Sequence, residues 1–249
     1  MMRVLGIIPA RGGSKGIPRK NMALLNGKPL LAYTAEAAMR SERLTRVLLS
    51  TDDQEIAQYG KSLGVEVPFM RPAKLAQDKS PTIDVLLDVL QRLHAAGEIY
   101  DAVFTLQPTN PLRTVADIDG AIELLERTGS DSVISFTEVG GRHPARMKTI
   151  NAEGRIVNPP FAEQFEGMPR QLLPKFYLRE GSVYLTRVHV LTGQHSFQGK
   201  DCRAWIIPEW RACNIDTKFD LFVTEQVLRN YDKLAAQEKV ELRNVSARA

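Results

Sequence analysis

Cysteine is scarce in this chain: Cys202 and Cys213 are the only two among 249 residues. Two cysteines so placed make neither a disulfide framework nor a metal-ligand set. No stretch approaches the length of a membrane span, and the first residues lack the apolar segment of a signal peptide, so the cytoplasm is the expected location. A basic stripe interleaved with aromatics is missing too. The formal net charge is only +4, and its sources are local: the N-terminal loop and residues 142–148. Neither nucleic acid nor a membrane is therefore expected as a partner, and small anionic substrates fit better. Internal repeats are absent. Most telling, no acidic residue precedes Glu36, so nothing near in sequence offsets the cations of the first loop.

That loop runs from Ile7 to Asn21 and holds Gly12, Gly13 and Gly16, Pro9 and Pro18, Ser14, and four cations, Arg11, Lys15, Arg19 and Lys20. Glycines let backbone amides turn toward an anion in conformations that other residues adopt only at a steric cost. The cations add charge neutralisation, and the reading is a polyphosphate cradle. Two familiar phosphate loops are excluded on spacing. No Gly-Lys pair has a glycine five positions before its own glycine, as a P-loop requires. Gly12-Gly13-Ser14-Lys15-Gly16 also fails the G-x-G-x-x-G dinucleotide pattern.

The length suits one α/β domain with a large core. Apolar runs at 4–8, 47–50, 65–69, 102–106 and 132–136 read as strands. Helical periodicity fills 30–40, 53–63, 83–96 and 116–127. Thr114 with Asp117 and Thr217 with Asp220 are capping-box patterns, and Pro81 suits a first helical position. Such alternation predicts a mostly parallel sheet with helices on both faces. It breaks after residue 136, and 140–184 is too long for an ordinary loop, so it reads as an inserted arm with a small antiparallel extension. Strand character returns at 183–186 and 204–207, and 218–234 closes as a helix. The expected division is a core of residues 1–139 and 185–249 with an arm of 140–184. Ligands of such sheets bind beyond the carboxyl ends of the strands, which selects the first loop, 51–53, 71–82, 107–113 and 214–217.

The segment from Ile8 to Asn21 resembles the signature loop of the acylneuraminate cytidylyltransferases, also called CMP-sialic acid synthetases. Further matching motifs follow in order: Ser50-Thr51-Asp52-Asp53, Arg71-Pro72-Ala73-Lys74-Leu75-Ala76, Leu106-Gln107-Pro108-Thr109-Asn110-Pro111-Leu112-Arg113, His143-Pro144 with Lys148, Pro169-Arg170-Gln171, Gly181 to Tyr184, and Ile215-Asp216-Thr217. The resemblance covers essentially the whole chain. It implies a Rossmann-like, three-layer nucleotidyltransferase domain with an inserted dimerisation arm, working as a homodimer. The implied reaction moves CMP from CTP to the anomeric hydroxyl of an acidic nine-carbon sugar and releases pyrophosphate.

Carried over residue by residue, the resemblance implies that Arg11, Gly12, Ser14, Lys15 and Lys20 hold the triphosphate. Arg11 and Lys20 would also stabilise the transition state and leaving group, by positioning and electrostatics. Asn21, Arg71, Ser80 and Thr82 fall where the family binds the nucleotide, although helix capping alone would equally account for Ser80 and Thr82. Gln107, Thr109, Lys148, Arg170 and Tyr184 fall where it binds the sugar. Asp216 is the expected Mg²⁺ ligand and a third catalytic residue, since hard cations prefer carboxylate oxygen. Asn214 stands where many members carry aspartate, which removes one negative charge from the metal site. Arg179-Glu180-Gly181 stands where Pro-Asn-Gly is common, and the changed charge at Glu180 points to a different acyl sugar, of legionaminic, pseudaminic or deaminated nonulosonic type. An eight-carbon 2-keto-3-deoxy acid as acceptor, or a non-catalytic nucleotide-binding regulator, are the alternative readings.

Overall fold

The computed structural model describes residues 2–246. The chain begins with strand β1 (Val4–Pro9), whose alternating side chains fill both sides of a sheet. Val4 and Ile8 face one apolar cluster and Leu5 and Ile7 another, and all four are fully buried. After the first loop come the short strands β2 (Leu24–Leu25) and β3 (Lys28–Pro29), helix α1 (Leu30–Met39), β4 (Arg46–Ser50) and α2 (Gln54–Ser62). Next are α3 (Thr82–Ala95), β5 (Ala102–Thr105), α4 (Val115–Thr128) and β6 (Ser132–Glu138). A small hairpin, β7 (Thr149–Ile150) and β8 (Ile156–Val157), precedes β9 (Tyr177–Arg187), α5 (Val188–Gln194) and β10 (Cys202–Ile206). Helices α6 (Lys218–Arg229) and α7 (Tyr231–Ser246) follow.

The six-stranded sheet has the order β10-β6-β9-β5-β1-β4. β1 pairs parallel with β4 and β5, and β10 with β6, whereas β9 runs antiparallel to both of its neighbours. The sheet is therefore mostly parallel, as the alternation predicts. On one face α1, α2 and α4 bury Leu31, Ala35, Ile56, Ile118 and Ile122. On the other, α3 and α5 bury Leu86, Val89, Leu93 and Leu191. Both expected capping boxes form, at Thr114 with Asp117 and Thr217 with Asp220.

Three local expectations differ from the structure. Residues 65–69 touch β4 at a single parallel bridge, Leu48 with Glu66, because Gly64 turns at φ 82° and Pro68 has no N–H to continue a ladder. The closing helix breaks at Asn230 into α6 and α7. Pro81 occupies the cap of α3 instead of its first turn, and no side chain caps that helix. In the arm region, 140–176 holds the β7–β8 hairpin and isolated helical turns. The segment from Tyr177 onward joins the central sheet through β9.

No helix among the described residues is long and apolar enough to cross a membrane. The chain visits β4 on one side of β1 and then returns for β5 on the other. That reversal opens a crevice at the carboxyl ends of β1 and β5, where α/β sheets bind ligands.

Candidate active site

A cavity of about 280 Å³ occupies that crevice. One wall is the first loop: Arg11, Gly13, Ser14, Lys20 and Asn21 line it. The floor and far side come from the segment after β4 and the start of α3, through Arg71, Gln77, Asp78, Ser80 and Thr82. The opposite wall is the turn after β5, with Gln107, Pro108 and Thr109. Three of the five strand-end segments expected to carry the site line the cavity, and the other two touch the first loop, 51–53 through Asp52 with Gly12 and 214–217 through Asp216 with Lys20.

The first loop is held by both ends of its own chemistry. Ile17 is buried with Leu25, Leu30 and Ile215 in a small apolar cluster, which pins the loop against segment 214–217. Asn21 is buried, and its Nδ2 donates to the Arg11 carbonyl at 2.9 Å, closing the loop across its base. None of Gly12, Gly13 and Gly16 has a positive φ. The requirement at Gly12 and Gly16 is therefore not left-handed backbone, as expected, but space, whereas a Cβ at Gly13 would meet nothing within 4 Å. At Gly16 a Cβ would collide with the Asp216 carbonyl oxygen. The Gly12 amide, moreover, donates to Asp52 Oδ1 at 3.0 Å.

The cations do not stand alone. Arg11 Nη2 lies 3.0 Å from Asp78 Oδ1, and Lys15 Nζ lies 2.7 Å from Asp78 Oδ2. Those two cations hold the Asp78 carboxyl below the usual carboxylate range, the Lys15 hydrogen bond contributing most. Arg11 Nη1 also donates to the Gln77 carbonyl at 2.6 Å. Lys20 Nζ donates to Asp216 Oδ1 and to the Ile215 carbonyl, both at 2.9 Å. The positive field left unopposed in sequence is thus offset in space by carboxylates from elsewhere. Arg19 turns away from the cavity, in left-handed backbone at φ 49°, and pairs with Glu55 at 2.8 Å and Asp53 at 3.3 Å.

Arg71 is buried, donating to Ser50 Oγ at 3.2 Å and the Ser50 carbonyl at 2.5 Å. Burial pulls its pKa down to about 10, so it stays cationic at neutral pH. Ser80 Oγ accepts from the Gln77 amide at 3.2 Å and donates to the Lys74 carbonyl at 3.1 Å. It therefore closes loop 74–80 instead of capping α3. Thr82 is the first residue of α3 and faces the cavity.

Other expected site residues lie apart. Lys148 is exposed beside the β7–β8 hairpin. Arg170 lines a separate cavity of about 360 Å³ at the root of the arm, with His143, Pro174 and Phe176. Tyr184 packs its ring on Phe197 at 5.1 Å between centroids, within β9. Glu180, whose charge points to a different acyl sugar, is buried and bonded to Asn110 and Ser182. Sequence reasoning misses Asp78 altogether, since a lone aspartate in a polar loop carries no pattern. Asp52 lies inside a matching motif that by itself assigns it no role.

Asp216 accepts from Lys20 on one oxygen, and from Asn214 Nδ2 at 2.6 Å on the other. No group of three or more potential ligands is assembled among the described residues. One exposed carboxylate beside a cation-lined cavity fits the kind of site magnesium shares with substrate phosphates, and not an all-protein cage.

A glycine-rich, cation-bearing loop at the switch point of a mostly parallel sheet defines a nucleotide-binding α/β protein. The family model for cytidylyltransferases matches residues 5–164. The chain is 32% identical to CMP-N,N'-diacetyllegionaminic acid synthase of Legionella pneumophila, covering 91% of this chain and 97% of the relative. It is 32% identical to pseudaminic acid cytidylyltransferase of Campylobacter jejuni, over 88% of this chain and 94% of the relative. Identity to N-acylneuraminate cytidylyltransferase of Streptococcus agalactiae is 31%, over 88% of this chain and 52% of that longer protein. The fold is similar to that of CMP:2-keto-3-deoxy-manno-octonic acid synthetase complexed with CTP, with TM-score 0.68 and 16% identity, covering 92% of this chain and 99% of the other. This chain belongs to the cytidylyltransferase family and is a nucleotidyltransferase.

Proposed function

We propose that the protein transfers CMP from CTP to the anomeric hydroxyl of a sialic-acid-like nonulosonic acid and releases pyrophosphate. The observation that carries this reading is the crevice between β1 and β5, where Arg11, Ser14 and Lys20 face Gln107 and Thr109 across one cavity. A nine-carbon acidic acceptor is supported by the names of relatives matched over nearly the whole chain.

In this reading the hydroxyl oxygen attacks the α-phosphorus, the bond to the β-phosphate oxygen breaks, and the hydroxyl proton leaves to solvent or a base. Charge grows on the transferring phosphoryl oxygens and on pyrophosphate, so fixed cations are the main catalytic resource. Arg11 and Lys15 bind the triphosphate once Asp78 releases them. Lys20 is held by Asp216 and the Ile215 carbonyl at the side of the cavity, placed to meet the developing charge. Arg71, Ser80, Thr82 and Asn21 shape the nucleotide half, and Gln107 with Thr109 the acceptor half. Asp216, with Asn214 beside it, would hold Mg²⁺ jointly with the phosphates, and that ion supplies further neutralisation of the leaving group.

The working unit we propose is a homodimer. Exposed apolar side chains crowd the arm, among them Ile150, Ile156, Phe161, Phe165 and Leu172. Burying them against a second copy would remove them from water. Lys148 and Arg170, remote from the cavity of their own chain, would then be available to the acceptor as arm contributions.

The test is pyrophosphate release from CTP with N-acetylneuraminic, pseudaminic and N,N'-diacetyllegionaminic acids, and an eight-carbon 2-keto-3-deoxy acid for comparison. Release with at least one nine-carbon acid is expected, and Lys20→Ala is expected to lower kcat about 10²-fold with little change in CTP affinity. CTP binding without release with any acid would overturn the proposal.

A further inference from the structure

The buried pair of charges beside the acceptor wall has no place in the chemistry above. Arg113 is buried, and its guanidinium is spent on three elements. Nε donates to the Ser182 carbonyl at 2.5 Å, Nη1 to Thr34 Oγ1 at 3.1 Å, and Nη2 to the Gln107 carbonyl at 2.9 Å. Burial lowers its pKa to about 10, and the nearby negative charges of Glu180 and Asp117 oppose that fall. Glu180 is buried as well. Its Oε1 accepts from the Ser182 amide at 2.7 Å, and its Oε2 accepts from Ser182 Oγ at 3.0 Å and from Asn110 Nδ2 at 3.1 Å.

A defect in the sheet aims this carboxylate. Between Ile134 opposite Tyr184 and Phe136 opposite Arg179 the register of β6 on β9 shifts, so residues 180–183 of β9 bulge out of the ladder. Ser135 Oγ holds the bulge by accepting from the Val183 amide at 2.8 Å. Bulges of this kind redirect side chains next to functional sites. Gly181 completes the approach, since a Cβ there would lie 2.6 Å from Asn110 Oδ1. Thr109, next to Asn110, accepts from the Ile215 amide through its carbonyl at 2.9 Å.

We propose that Glu180, Asn110 and Arg113 are positioning residues that lock the turn bearing Gln107 and Thr109, and thereby set the affinity of the acceptor half of the site. The inference rests on the cytidylyltransferase reading. None of the three needs to touch the acid. Arg113 fixes the start of the turn through the Gln107 carbonyl, and Glu180 fixes its middle through Asn110. Among the described residues the first loop makes no direct bond to Glu180, Asn110 or Arg113, and it reaches the turn through Ile215, which bonds to Thr109 on one side and Lys20 on the other. Selectivity of the acceptor half would thus depend on a buried acid behind the turn.

The donor–acceptor pattern supplies a discriminating test. In Glu180→Gln an amide nitrogen replaces the oxygen that accepts from Asn110, and Arg113 loses the favourable negative charge of Glu180. In Asn110→Asp two carboxylates face each other across the 3.1 Å contact. In the double variant, E180Q with N110D, the pattern is restored with its sense reversed. The new amide nitrogen donates to the new carboxylate and to Ser182 Oγ, while the amide oxygen still accepts from the Ser182 N–H. Each single variant is expected to raise the KM for the best nine-carbon acid of the panel above about tenfold. The KM for CTP should stay within about twofold, and hydrogen exchange should quicken over residues 107–113. The double variant is expected to recover most of the acid KM. A merely structural role would lower melting temperature without separating the two KM values. Equal rises for acid and CTP, or no rise in either, would overturn the inference. Failure of the wild-type chain to use any acid would instead overturn the reading on which it rests.

Discussion

Substituting Gly16 by alanine should separate the two halves of the catalytic apparatus with a single methyl group. Gly16 lies on the first loop and Asp216 on the segment after β10, and the backbones meet so closely that a Cβ would overlap the Asp216 carbonyl oxygen. Backbone strain is not the issue, because Gly16 has no positive φ. The obstacle is a backbone atom, which cannot rotate aside as a side chain would. Restoring van der Waals distance requires a displacement of about 1 Å between the loops. Lys20, bonded to both Ile215 and Asp216, sits astride that junction. A misplacement of about 1 Å in a catalytic array can cost about 10²-fold in rate, or about 2.7 kcal/mol of barrier. The overpacking itself should cost about 1–3 kcal/mol of stability. The assay is pyrophosphate release under saturating CTP and acid, paired with a thermal melt. Gly13→Ala is the control for folding, since a Cβ at Gly13 meets nothing within 4 Å, and its melting temperature should not move. Gly16→Ala with kcat within about twofold of wild type would refute the reasoning.

Two further outcomes follow from the charge pattern. In the proposed reading Asp78 competes with substrate phosphates for Arg11 and Lys15, and those cations hold its carboxyl below the usual range. Asp78→Asn is therefore expected to tighten CTP binding severalfold, an effect that shrinks with added salt, and weaker binding by calorimetry would rule out the competition. Asp117 is buried between Arg211 and Trp205, with Nη1 of Arg211 at 2.5 Å. Burial pushes its carboxyl up, but the Arg211 bond and charge outweigh it and hold the pKa below the usual range. A depressed carboxyl contributes stability above its unfolded pKa, roughly 3.9, and loses that contribution as pH falls through the lower folded value. Asp117→Asn should cost about 3–5 kcal/mol at neutral pH and flatten the loss of stability on the acid side. A denaturation series across pH that leaves the two proteins parallel would contradict this.

What lies within the reach of the sequence is local and periodic. Alternation of apolar runs and capping boxes at Thr114 and Thr217 is written in adjacent residues, and the structure bears out the α/β sheet and both boxes. The composition of the first loop, three glycines among four cations, likewise announces an anion, and the resemblance of successive motifs narrows it to a cytidylyltransferase. Where sequence and structure part, the cause is a partner distant in the chain. Glycine content alone suggests backbone freedom, but the reason for two of these glycines is the close approach of Asp53 to Gly12 and Asp216 to Gly16. Glu180 reads as a change of charge tied to the sugar, and the bulge in β9 that bonds it to Asn110, 70 residues away, is invisible in the sequence.

Only the tertiary structure decides which charges oppose which. Coulomb energy and hydrogen bonding depend on distance in space, and a chain folded about one switch point brings Asp78 to Arg11 and Asp216 to Lys20 across 67 and 196 positions respectively. By itself the sequence points to a polyphosphate-sized anion at the end of β1, because glycine, serine and cation density needs no partner to be recognised. The fold decides how that loop is held, which of its cations face the cavity, and which buried carboxylate bonds to Asn110 beside the opposite wall.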